Sequence, residues 1–250
     1  MRREYIYPHR SVRSFPVSRV RLSAALAVAA LLSAAVFYSG TGLLALHGRI
    51  TLFILQHTGI PVAGQGSLEV FPHLGPATGA DVPFAQPRSR PWFTTLLFAA
   101  CLGAMVVIYR KVALARNFLI FLAILLFAAA AVIVFNPSFY FDSAMYQQIW
   151  LRGEVLVWLI LPWVAAFLFI LTMPSLVPGV VWTLLMEGYA IVWSAVRLAF
   201  CLGVLHFTGL LFLPLLWFCL GLLFDVLYVI LFYALALNRS IVRVAGVRMP

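Results

Sequence analysis

Acidic residues are scarce in this chain: there are 7 in 250 residues against 17 lysines and arginines, and charged residues of both signs make up 10% of the sequence. A soluble domain carries about a quarter charged residues, so this composition excludes an ordinary water-facing surface. Cysteine is nearly absent as well. The three present, Cys101, Cys201 and Cys219, are odd in number and lack CxxC spacing, which argues against a disulfide framework and against a zinc site. They read as small apolar filler. There is no internal repeat, no low-complexity tract, no nucleic-acid motif, and no motif that calls for a cofactor or a metal.

What is abundant is apolar surface. Hydrophobic residues are 64% of the chain, which identifies an integral membrane protein. A spanning helix needs roughly 20 apolar residues to cross a hydrocarbon core of about 30 Å. Apolar runs of that order cover residues 22–46, 92–109, 118–135 and 155–171, and a further stretch over 176–237 is long enough for two crossings. These runs are continuous and lack the alternation of a membrane β-barrel. The expected fold is all-α: a polytopic transmembrane helix bundle of about six spans in a single domain, 22–250, behind a basic N-terminal segment, 1–21. Alanine-rich runs at 24–35 and 128–131 offer small surfaces for close helix approach.

Charge orients the bundle. Arg2, Arg3, Arg10, Arg13, Arg19 and Arg21 precede the first run, Arg110, Lys111 and Arg116 lie between the second and third, and Arg239, Arg243 and Arg248 follow the last. The positive-inside rule makes these segments cytoplasmic, with both termini inside. The net charge of +10 is then a topology signal and an attraction to anionic lipid, with no nucleic acid expected as partner. The first run is longer than the h-region of a signal peptide and reads as a retained anchor.

On this topology residues 48–91 form an extracytoplasmic Gly/Pro-rich loop. It holds His57, Glu69, His73 and Asp81 without ligand spacing, and Ser67 to Phe71 read as an extended piece suited to a small hairpin. A solvated loop and a substrate platform both remain open. The aromatic-rich tract 136–154 is also external, expected at the headgroup level with a helical turn beginning at Ser143. Pro162 and Pro214 are expected to bend their helices.

Ionisable groups inside spans are functional candidates by default, because a charge in hydrocarbon is costly unless paired or hydrated. Glu187, reckoned at 1.5 Å per residue from position 176, lies roughly 16 Å in, and Asp225 lies roughly 20 Å from the inner end of the last span. At comparable depth these carboxylates suit either a proton-coupled transporter or a helix–helix contact. Arg197 and His206 fall near the outer interface. There they either reach water as interfacial residues or act, Arg197 on an oxyanion or carboxylate and His206 as acid or base.

The segment LFILQHTGIPVAGQGSLEVF, together with the later RLAFCLGVLHFTG carrying Arg197 and His206, resembles the exosortase and archaeosortase membrane proteins. The resemblance implies a polytopic bundle of a bacterial inner membrane that handles the C-terminal sorting signals of exported proteins. It also implies a cysteine nucleophile at the outer start of the second span, completed by an arginine and a histidine from later spans. Arg197 and His206 stand in the order of those two. The nucleophile does not: PATGADVPFAQPRSRPWF contains no cysteine, and Cys101 would lie about 14 Å below the outer start of its span. Two expectations follow. One is a noncatalytic member, or a subunit partnered with an exosortase or another membrane protein. The other is a membrane cysteine protease or transpeptidase whose nucleophile has moved, with Cys201, one turn after Arg197, as the candidate.

Overall fold

The computed structural model describes residues 18–84, 113–135, 141–173 and 175–245, with isolated helical backbone positions at 103, 105 and 107. The protein is mostly helical. Ser18 starts α1 (Arg19–Tyr38) by accepting a hydrogen bond from the Arg21 amide at 3.2 Å. The apolar run over 22–46, expected as one span, is broken at Ser39, where α2 (Gly40–His57) begins. The break is set by packing. A Cβ on Gly40 would lie 2.7 Å from Leu74, and one on Gly48 would lie 2.6 Å from the Thr78 carbonyl oxygen. Two hydrogen-only side chains thus let α2 run against a β-hairpin instead of continuing α1.

That hairpin, β1 (Gly64–Phe71) and β2 (Gly75–Asp81), is antiparallel, with Gly66 opposite Gly79 and Leu68 opposite Ala77. It corrects the all-α expectation. It also replaces most of the supposed loop, since residues 48–57 are helical and the extended piece at Ser67 to Phe71 lies within β1.

The run over 118–135 lies in α3 (Ala113–Phe135), and the run over 92–109 lies outside the described residues apart from the isolated positions. Helix α4 (Ser143–Thr172) starts with Asp142 accepting from the Met145 amide at 2.7 Å. Its 30 residues make it about 45 Å long, so it outreaches a hydrocarbon core of about 30 Å and its first turns carry the hairpin. Gln147 acts there as a substitute strand neighbour. Its Oε1 accepts from the Ala80 amide at 2.9 Å and its Nε2 donates to the Ala80 carbonyl at 2.7 Å. Gln148 donates to the Glu69 carbonyl at 2.6 Å and Arg152 to that of Val70 at 3.0 Å. Pro162 sits inside α4. A proline disturbs the carbonyls one turn before it, and Ser33 of α1 donates to one of them, Leu159 O, at 2.8 Å.

Helix α5 (Leu176–Thr208) ends at Gly209, whose φ of 68° is a backbone region open to glycine at little cost. A 3-10 turn over Gly209–Phe212 leads into α6. This last helix comprises an α-helical Leu213–Leu216, a π-helical Trp217–Leu223 and an α-helical Phe224–Ala245. Ala25 and Ala29 of α1 are fully buried against Ala166 and Ile170 of α4, the close approach that small residues permit.

Among the described residues, four helices are long and apolar enough to cross a membrane: Arg19–Tyr38, Ser143–Thr172, Leu176–Thr208 and Leu213–Asn238. The hairpin lies at one end of this bundle with the start of α4 and the end of α5. At the other end Arg21 donates to the Met173 carbonyl at 2.8 Å.

Candidate functional site

Halfway along the bundle, helices α4, α5 and α6 converge on Arg197. Its side chain is 2% exposed, and Nη2 lies 2.9 Å from Glu154 Oε1 and 2.7 Å from Asp225 Oδ1. Nη1 donates to the carbonyls of Leu220 at 2.6 Å and Gly221 at 3.0 Å. The guanidinium carbon stands 5.7 Å from the centre of the Trp150 ring. The depths agree along all three helices: Glu154, Arg197 and Asp225 are each about 16–18 Å from the hairpin end of their helix at 1.5 Å per residue.

Local winding brings the carbonyls to Arg197. Leu220 and Gly221 lie in the π-helical segment Trp217–Leu223, where the regular α-helical ladder is interrupted and main-chain oxygens become open to outside donors. A planar guanidinium with five donors suits such a mixed shell of carboxylate and carbonyl oxygens.

Arg197, expected near the outer interface, is buried among the helices. The helix continues for eleven residues beyond it, to Thr208, and Leu198, Leu202 and Leu205 on that last part cluster with Ala80 and Val82 of the hairpin region. His206, near the end of α5, places Nδ1 2.7 Å from the Pro83 carbonyl oxygen. It is separated from Arg197 by nine residues, about 13 Å along the helix, so the two do not converge. Cys201 is fully buried and faces Tyr146, enclosed by apolar neighbours including Leu198, Leu202 and Leu205. The carboxylate pairing also differs from expectation. Asp225 is bound to Arg197, whereas Glu187, 5% exposed, has both carboxyl oxygens without a hydrogen-bond partner among the described residues.

The loop candidates stay apart from this cluster. His57 lies against Phe53, with ring centres 4.0 Å apart and Nδ1 2.8 Å from the Phe53 carbonyl. Glu69 and His73 are exposed on the hairpin, and Asp81 accepts from Ser143 at 3.3 Å. No group of three metal-capable side chains occurs among the described residues. Cys101 lies outside them.

Glu154 and His47, both buried, are not singled out by the sequence. Glu154 stands one residue before an apolar run and was counted with the external tract. Its signal was the stripe Tyr146, Trp150, Glu154 and Trp158, four polar-capable residues at helical spacing on one buried face. His47, 1% exposed, lies 5.7 Å from Trp158 and bonds to the Ser194 backbone, with Nε2 unpartnered among the described residues. At the hairpin end, a cleft of about 370 Å³ is lined by Gly64, Gly66, Ala80, Asp81, Asp142 and Gln147, among others.

Chemically the centre is a closed ion cluster that clamps three helices, and among the described residues the oxygens that bond Arg197 are those of Glu154, Asp225, Leu220 and Gly221. Compared with protein-family models, with curated proteins and with solved structures, the chain matches none.

Proposed function

We propose that this chain is a noncatalytic integral membrane component of cell-envelope protein sorting or assembly, of the exosortase-like kind, working in a bacterial inner membrane beside an exosortase or another membrane subunit. The observation that carries the reading is the engagement of Arg197. Four oxygens from Glu154, Asp225, Leu220 and Gly221 take up both terminal nitrogens, and an arginine so occupied is not free to stabilise an oxyanion. Cys201 is sealed from water, and His206 points to the hairpin connection at Pro83 instead of toward it. The hairpin, held by Gln147, Gln148 and Arg152, then serves as an outer platform for an exported protein or a partner subunit. The chain crosses the membrane about six times with both termini inside.

The test is processing of exported proteins in cells whose only copy carries Cys201→Ser. Unchanged processing, together with lost processing when the whole chain is deleted, is the expected result. Loss of processing by Cys201→Ser with the protein still folded and present at normal level would assign the thiol as nucleophile and overturn the noncatalytic reading.

A further inference from the structure

The ion cluster at Arg197 is not balanced. Two carboxylates, Glu154 and Asp225, share one guanidinium, and both reach the same nitrogen, Nη2. Among the described residues, the ion pairs of both carboxylates are with Arg197. Fully ionised, the group carries one negative charge in excess at the middle of a bundle whose helices are apolar enough to span a membrane. Buried charge of that kind is compensated or neutralised in a low-dielectric interior.

Among the described residues, the surroundings offer no second cation. His47 of α2 is the nearest candidate in kind, but among the described residues its Nε2 has no acceptor at 1% exposure, and an imidazolium there would bury another N–H unpaired. From α4 the cluster meets Tyr146 besides Glu154, from α5 Glu187, Tyr189 and Cys201, and from α6 Tyr228. None of these supplies a positive charge. Two deeply buried donors beside the cluster, Arg197 Nε and Trp150 Nε1, also lack acceptors among the described residues, so the site has polar capacity beyond its internal bonds.

We propose that Glu154 and Asp225 form a single-proton binding site around Arg197, the two carboxyl groups holding one proton between them. Loading takes one proton from water and forms one carboxylic O–H; release returns it to water and leaves both carboxylates ionised. The proton makes the cluster neutral, and Arg197 transmits its presence to the π-helical segment through the Leu220 and Gly221 carbonyls. The site differs from a pairing of Glu187 with Asp225, which the structure does not make.

The experiment is infrared spectroscopy of the full-length protein in lipid nanodiscs, titrated in sodium-free and sodium-containing buffer. Glu187→Gln serves as the background, removing the other buried carboxyl. The expected result is one protonated-carboxyl C=O band at neutral pH that vanishes on alkaline titration, is insensitive to sodium, and is abolished by adding either Glu154→Gln or Asp225→Asn. Either change leaves one carboxylate for one guanidinium. Absence of the band in the Glu187→Gln background overturns the proposal without recourse to the further variants, which keeps it testable should they fail to fold. A band seen only without sodium identifies a metal cation as the occupant and overturns it too, as does a band that survives both substitutions.

Discussion

Arg197 joins three helices through four oxygens, and the consequence of removing it is set by what is left behind. Arg197→Met strands Glu154 and Asp225 without a cation, and breaking a buried pair in this way costs about 3–5 kcal/mol. Arg197→Lys keeps the charge but loses the planar fork that reaches carboxylates and carbonyls together. Thermal unfolding followed by tryptophan fluorescence is expected to rank wild type above Lys and Lys above Met. Equal melting temperatures would show that the cluster does not hold the bundle. Arg197 was legible in the sequence as a candidate because an arginine among apolar neighbours stands out. Its partners were not. Glu154 sits 43 residues away and Asp225 28 residues away, and nothing in local spacing states which carboxylate an arginine will meet.

At the scale of elements, the hairpin is held by side chains that stand in for missing strands. Gln147 serves both the amide and the carbonyl of Ala80, so Gln147→Ala leaves two buried backbone groups unpaired at about 1–3 kcal/mol for each unsatisfied group. Faster hydrogen exchange at the Ala80 amide is the expected sign, and unchanged protection there would refute the role. On the opposite side, Gly48→Val pushes a side chain into the Thr78 backbone, an overpacking that costs about 1–3 kcal/mol. Limited proteolysis between residues 58 and 84 is expected to accelerate in this variant and to remain slow in Gly42→Val, where a Cβ would meet nothing. The strand over Ser67 to Phe71 could be read from its glycine turn and its alternation. The division of the first apolar run at Ser39 could not, because the hydropathy of 22–46 is continuous and the break answers to Leu74 and Thr78, far along the chain.

For the whole molecule, the hairpin and the Arg21–Met173 contact mark opposite ends of the bundle. From the charge pattern the hairpin end is expected to be extracytoplasmic. Single cysteines at Ser67 and at Ser18, placed in a chain whose native cysteines are replaced by alanine, are expected to separate cleanly. A membrane-impermeant maleimide added to intact spheroplasts should label the first and leave the second until the cells are opened. The reverse pattern would invert the topology.

The sequence by itself determined the solvent. Scarce charge and long apolar runs leave a helical membrane protein as the outcome, since every backbone polar group in hydrocarbon must be satisfied within its own segment. It also marked Arg197, Glu187 and Asp225 as residues requiring explanation. Only the tertiary structure decided which of them meet. It carried α5 eleven residues past Arg197, brought α4 alongside with Glu154 at the same depth, and wound α6 so that two carbonyls turned inward. Hydropathy is a sum over neighbours in the chain, whereas an ion cluster is an encounter between residues that only packing brings together.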